Sequence, residues 1–294
     1  MPPELRHLRY LQAVADHGNF TRAAHDLHVS QPTLSQQIQQ LERGVGARLL
    51  DRSGRTVRLT DAGQAYLAHA RRALRELAAG ERAVRDVTDL SSGHLRLAAT
   101  PSFTAYLVGP LLAELYERHP GVTATILELS QERIETQLLA DEIDLGIAFD
   151  QPHLAAVHGT PLFTETLVAV FGSTTPAAPL TPEIIGQHSL ALLTPDFATR
   201  VHVDAYFAQH GVKPRIAIET NSLETLTEIV RHSPLATVLP DAIIHTRPYL
   251  FAVALDPPLS RAAILLTREG AYRTAAAHAF IRLAEEYVRA HPPD

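Results

Sequence analysis

Phe20-Thr21-Arg22-Ala23-Ala24-His25-Asp26-Leu27-His28-Val29-Ser30-Gln31-Pro32-Thr33-Leu34-Ser35-Gln36-Gln37-Ile38-Gln39-Gln40-Leu41 decides the reading of this chain. Ala23, Ala24 and Leu27 share one face of a helix that Asn19 caps. Ser30 caps the next helix, and Pro32 falls in its first turn, where a missing N–H costs little. Leu34, Ile38 and Leu41 recur at i, i+4 and i+7, a buried stripe. The short His28-Val29 link between the two helices predicts a helix-turn-helix whose second helix enters the DNA major groove. That helix carries Gln31, Thr33, Ser35, Gln36, Gln37, Gln39 and Gln40 where most helices carry Glu and Lys. Glutamine can pair with adenine through two bonds, and Ser or Thr can reach phosphate.

On the N-terminal side, Leu8, Leu11 and Ala15 predict a first helix that Gly18 stops. On the C-terminal side, Leu49 to Leu59 surrounds a Ser53-Gly54 turn and predicts a hairpin. Arg52, Arg55 and Arg58 make that hairpin a basic wing for phosphates or the minor groove. Residues 1–60 hold eight Arg against five acids, a balance of +3, whereas residues 91–294 hold thirteen basic against twenty-two acidic residues, a balance of −9. A basic head on an acidic body suits a DNA-binding head.

Residues 61–90 are rich in Ala, Leu, Arg and Glu. They repeat an apolar seam through Leu67, Ala70, Leu74, Leu77 and Val84, interrupted at Glu81. A helix of about 40 Å with so narrow a seam seeks a partner helix. Ser91-Ser92-Gly93 then forms a hinge.

From residue 94 onward strands and helices alternate: strands near 95–99, 122–129, 144–149, 166–171, 189–193, 215–219, 236–239 and 262–267, helices at 102–119, 131–140, 199–209, 223–231 and 274–289. This order predicts two α/β lobes with a cleft between them. Lobe I covers about 91–163 and 268–294, lobe II about 164–267. Small ligands bind where strands end and helices begin. The candidates there are Thr100, Ser102, Phe103, Thr104, Phe149, Thr199 and Asn221. Arg200 either helps hold an anion or lies on the surface. Lys213 is the single lysine, so an anion pocket lined by several lysines is excluded.

The chain has no cysteine, which removes disulfides, thiolate nucleophiles and cysteine-based metal sites. Its sixteen histidines are scattered, and no His-Glu-x-x-His helix, Gly-x-Ser-x-Gly elbow or phosphate loop is present. No enzyme or metal site is expected. No apolar run reaches membrane-spanning length and the first ten residues lack a signal-peptide core, so a cytoplasmic protein is expected. A cytoplasmic small-molecule sensor or solute-binding protein that acts through protein contacts is the alternative to a DNA-binding regulator.

The chain resembles the LysR-type transcriptional regulators. The resemblance rests on Phe20-Thr21-Arg22-Ala23-Ala24, on Leu27 to Ser35 with Ile38 and Leu41-Glu42, and on Leu49-Leu50-Asp51-Arg52 running to Leu59-Thr60-Asp61-Ala62-Gly63. It implies a multi-domain α+β protein. A winged helix-turn-helix (1–60) is followed by a dimerising linker helix (61–90), then by a two-lobed, periplasmic-binding-protein-like effector domain (91–294). Within the family a closer likeness, to activators of cyanate-degradation operons, runs through Asp51 to Thr56, Thr100 to Thr104, Asp144 to Phe149, Phe197 to Arg200 and Thr274 to Ala277. It implies an activator whose effector is cyanate or a similar small anion, with no other cofactor. The implied partners are double-stranded promoter DNA, RNA polymerase and further copies of the chain, as a dimer or tetramer. The DNA-binding residues expected are Arg22, Ser30, Gln31, Pro32, Thr33, Ser35, Gln36, Arg52, Arg55 and Arg58.

Overall fold

The computed structural model of the chain describes residues 3–54, 56–88, 93–172 and 179–290. The chain divides into two compact units, one ending at Val84 and the other beginning at Arg85.

In the first unit α1 (Leu5–His17), α2 (Phe20–Asp26) and α3 (Gln31–Val45) precede the strand pair β1 (Leu50–Asp51) and β2 (Arg58–Leu59), and α4 (Asp61–Thr88) follows. Local chemistry sets each boundary. Gly18 ends α1 and Gly46 ends α3, both in the left-handed conformation that glycine adopts without strain. Asn19 Oδ1 accepts the N–H groups of Thr21 and Arg22 at 2.8 and 3.0 Å, and Ser30 Oγ accepts that of Thr33 at 3.2 Å. Leu11, Val14, Leu34, Ile38 and Leu41 fill the core. Leu67 and Ala70 of α4 belong to the same core, with Leu74 packed against it. The start of α4 is therefore part of the head. Gly63 explains how it gets so close: a Cβ there would lie 1.9 Å from the Leu49 carbonyl oxygen.

The second unit begins with β3 (His94–Ala99), α5 (Pro101–Phe103), a π-helical turn at Thr104–Val108, α6 (Gly109–Arg118), β4 (Thr123–Glu128), α7 (Gln131–Leu139) and β5 (Leu145–Phe149). It continues through β6 (Val157–Phe171), α8 (Pro182–Gln187), β7 (Ser189–Leu193), α9 (Ala198–Gln209), β8 (Arg215–Thr220), α10 (Leu223–Arg231), β9 (Thr237–Pro240), α11 (Asp241–Ile244), β10 (Phe251–Val253), β11 (Leu259–Arg268) and α12 (Ala275–Ala290). The continuous helix expected over 102–119 is interrupted by the π turn. Pro110 has no N–H to give the carbonyl four residues back, so the ladder shifts there.

The main sheet has the order β10-β6-β11-β5-β3-β4, with β9 also on β6, and β7 pairs β8 separately. β6 and β11 run antiparallel over most of their length and tie the two lobes together. Ala263 and Leu265 of β11 enter one core with Leu97, Phe103, Phe149 and Phe280. Leu259 of β11 and Leu167 of β6 enter another with Leu190, Val203 and Phe207. The crossing strands thus form the floor between two cores.

Candidate functional site

In the head, the exposed face of α3 presents Gln31, Pro32, Thr33 and Gln36, with Ser35 half-buried. The Ser30 hydroxyl is engaged at the cap, 2.7 Å from Thr33 Oγ1. Arg22 is exposed beside its Asn19 cap. The buried ring of His7 reaches Gln37 Oε1 at 2.9 Å through Nε2, while its Nδ1 accepts the Glu4 N–H at 3.0 Å. With Nδ1 as acceptor, the proton sits on Nε2 and donates to Gln37, which fixes that glutamine on α3. His7 escaped the sequence reading because its partner lies thirty residues away.

The wing is held by Glu42. Its Oε1 accepts the N–H groups of Leu49 and Leu50 at 2.9 and 3.1 Å, and its Oε2 pairs with Arg52 Nη2 at 3.2 Å. Arg52 also lies over the Phe20 ring, 4.8 Å from its centroid. Arg52 is therefore braced between α2, α3 and the wing, with part of its charge already matched. Arg58 is exposed on β2, opposite Asp51. Arg55 lies outside the described residues. Beside the wing, a groove of about 660 Å³ is lined by Gln39, Arg48, Arg52 and Ser53 among others.

In the second unit, Ser102 and Thr199 meet directly, with their hydroxyl oxygens 3.0 Å apart and both residues buried. They meet around a third side chain that the sequence reading did not select. Arg261 of β11 sends Nη1 to Thr199 Oγ1 at 3.0 Å and Nη2 to Ser102 Oγ at 3.2 Å. Its Nε donates to Glu165 Oε1 at 2.5 Å. Arg261 and Glu165 are opposite each other in the β6–β11 ladder, with side chains only 1% and 4% exposed. Tyr106 donates its hydroxyl to Glu165 Oε2 at 2.5 Å. The guanidinium lies 3.7 Å from the centroid of the Phe149 ring. Burial pulls the Arg261 pKa down, while Glu165 opposes that shift. Burial, followed by the Glu165 charge, pushes the Tyr106 hydroxyl well above its ordinary range.

The other candidates are not among the hydrogen-bonding partners of Arg261. Phe103 is fully buried in the core and packs on Phe149 at 4.7 Å. Thr104 turns away to the Pro101 carbonyl and Glu128. Thr100 is buried, and its hydroxyl has no hydrogen-bond partner among the described residues. Asn221 is exposed and outside the cluster. Arg200 is structural, joined to Asp204, Glu219 and the Leu193 carbonyl. Among the described residues no cluster of three His, Asp or Glu is placed to hold a metal, and no helix is long and apolar enough to cross a membrane.

Two family models match the chain. The bacterial regulatory helix-turn-helix of the LysR family covers residues 5–64, and the LysR substrate-binding domain covers residues 88–289. The chain belongs to the LysR family. The nitrogen assimilation regulatory protein of Klebsiella aerogenes is 30% identical to it over 239 residues, 81% of this chain and 78% of the relative. A hydrogen peroxide-inducible genes activator of Dickeya chrysanthemi is 29% identical over 82% of this chain and 80% of its own length. Among solved structures, a full-length OxyR variant from Pseudomonas aeruginosa superposes with a TM-score of 0.71 at 24% identity, covering 98% of this chain and 95% of that one. CbnR in complex with its target DNA superposes with a TM-score of 0.66 at 23% identity, covering 96% and 99%. These relatives share the fold of a helix-turn-helix head and a two-lobed substrate-binding domain. The protein is thus a LysR-type transcriptional regulator with an effector-binding domain, and not an enzyme.

Proposed function

We propose that this LysR-type regulator activates transcription in the cytoplasm by binding promoter DNA as a dimer or tetramer and acting on RNA polymerase there. Gln31, Thr33, Ser35 and Gln36 face base edges, Arg22 and Arg58 contact phosphate, and Arg52 braces the wing. The observation that carries this reading is the exposed, uncharged, hydrogen-bonding face of α3, held at a fixed start by the Ser30 cap. Exposed Leu77 and Val84, seven residues apart on α4, support self-association through that helix.

The effector in this reading is a small anion, cyanate among the candidates, received at Ser102 and Thr199. The buried, hydrogen-bonding Ser102–Thr199 pair supports that placement. Electrophoretic titration of the protein against the DNA upstream of its own gene, with and without cyanate, tests the reading. A specific complex whose affinity or mobility responds to the anion is expected. Equal binding to unrelated DNA overturns the promoter-reading role.

A further inference from the structure

We propose that Arg261 selects the effector and that the fixed charge of Glu165 opposes its binding, so that the effector is a singly charged anion with two acceptor atoms, of the carboxylate class. This rests on the reading of the Ser102–Thr199 pair as the effector site.

Two edges of the Arg261 guanidinium are in use, and they are used differently. Nε faces a carboxylate, Glu165. The Nη1–Nη2 edge faces two neutral hydroxyls, Thr199 and Ser102, at 3.0 and 3.2 Å. That outer edge is a fork whose two parallel N–H groups match a carboxylate, and a charge-assisted pair is stronger than two bonds to hydroxyls. The hydroxyls also retain donor capacity. Each accepts from Arg261 and each has one proton; their mutual bond uses one proton. The other has no acceptor among the hydrogen bonds of the cluster, so an incoming anion meets a further donor beside the fork.

A 3.0 Å bond between Ser102 and Thr199 leaves no room for a ligand between them. These residues come from the two sides of the crossing strands, Ser102 beside the core of β3 and β5 and Thr199 on α9. Entry at the fork therefore separates the pair, and occupancy is coupled to lobe spacing. The ligand's charge must be single. The Arg261–Glu165 pair is already neutral, so a monoanion leaves one net negative charge in a buried site and a dianion leaves two. Phe149 covers one face of the guanidinium and closes approach from that side. Glu165 retains its Tyr106 bond throughout, so it stays in place and repels whatever anion occupies the fork.

The test is titration calorimetry on the full chain with formate, acetate, cyanate and the neutral isostere acetamide, each sample being checked first for binding to its upstream DNA. Wild type is expected to bind the monoanions and not acetamide. Glu165→Gln, which removes the opposing charge but keeps the shape, is expected to bind formate and acetate at least tenfold more tightly. Arg261→Lys keeps a charge without the fork and is expected to weaken both at least tenfold. Arg261→Gln is expected to abolish binding, and Ser102→Ala combined with Thr199→Val to weaken it severalfold. Unchanged or weaker anion binding in Glu165→Gln overturns the proposal, as does acetamide binding equal to acetate. If the chain binds its DNA and no anion binds to wild type or Glu165→Gln, this inference falls while the regulator stands. If the wild type fails to bind its DNA specifically, the promoter-reading role falls, and the anion titrations still decide the role of Arg261.

Discussion

Glu42 Oε1 accepts the backbone N–H of Leu49 at 2.9 Å, so the recognition helix and the wing are joined through one carboxylate. The same group holds Leu50 and Arg52. Glu42→Ala removes a charged acceptor from two backbone donors, and hydrogen bonds to charged groups contribute about 1.5–3 kcal/mol each. We expect a loss of about 2–3 kcal/mol in the head, read as a lowered first transition in scanning calorimetry of the full chain, and a smaller loss for Glu42→Gln. Equal transition temperatures for wild type and Glu42→Ala refute the brace.

The proposed reading assigns base reading to Gln36 and phosphate binding to Arg58. Gln36→Ala is expected to reduce discrimination between operator and mutated operator by about 1–3 kcal/mol, measured at one salt concentration. Arg58→Ala is expected to weaken all DNA alike and to lower the slope of log K against log salt by about 1. Arg52→Ala is a poorer probe of phosphate contact, because Arg52 also pairs with Glu42 and covers Phe20. A salt slope unchanged in Arg58→Ala removes that residue from the interface.

Leu74 and Leu77 are three residues apart on α4 and have different duties. Leu74 packs against the head core, whereas Leu77 is 47% exposed. Leu74→Glu is therefore expected to lower head stability, while Leu77→Glu leaves it intact and breaks self-association, because a charge in a buried seam is costly. Sedimentation velocity at micromolar concentration reads the second effect. A Leu77→Glu chain that sediments like wild type places the seam elsewhere.

His202 is expected to make the effector domain acid-sensitive. Burial, opposed by its bond to the Ala198 carbonyl, holds its pKa below the ordinary value, and the charge of Arg261 adds to the depression while Glu165 opposes it. The unfolded chain then binds more protons than the folded one between the folded pKa and the unfolded value near 6.5. Stability contributed this way is present above about pH 6.5 and declines as pH falls below it. Unfolding midpoints of wild type and His202→Phe, compared from about pH 7.5 to about pH 5.5, are expected to diverge, with wild type falling faster. Parallel curves rule out the histidine as the source.

The head was legible because its determinants are local. Caps at Asn19 and Ser30, glycines at 18 and 46, and an apolar stripe at i, i+4 and i+7 act within one or two turns. The crossing strands were read short: β6 begins at Val157 and β11 at Leu259, ahead of the apolar runs at 166–171 and 262–267. The part of β6 ahead of its apolar run carries polar residues and Pro161, a composition that reads as loop, and β11 carries the polar pair Ser260-Arg261 near its start. The charge pair at the cleft was also invisible. Arg261 and Glu165 lie 96 residues apart, and although their i±2 neighbours Leu259, Ala263, Phe163 and Leu167 are apolar, nothing in either stretch names the other, so only the antiparallel register brings them together. The sequence placed positive character at helix starts. In the structure Ser102 sits on a three-residue turn, and the charge beside it comes from a guanidinium.

α4 enters the head core at Leu67 and Ala70 and continues past Val84. The fourteen residues from Ala70 to Val84 extend about 21 Å at 1.5 Å per residue. An arm of that length fixed in the head magnifies angles. A tilt of about 10° at the Val84 end displaces the head by about 3.6 Å on this rise, comparable with one base-pair step of about 3.4 Å. On the proposed reading of α3, a pivot of that size in one helix would change which base steps its glutamines meet, with no side chain of the head repacked.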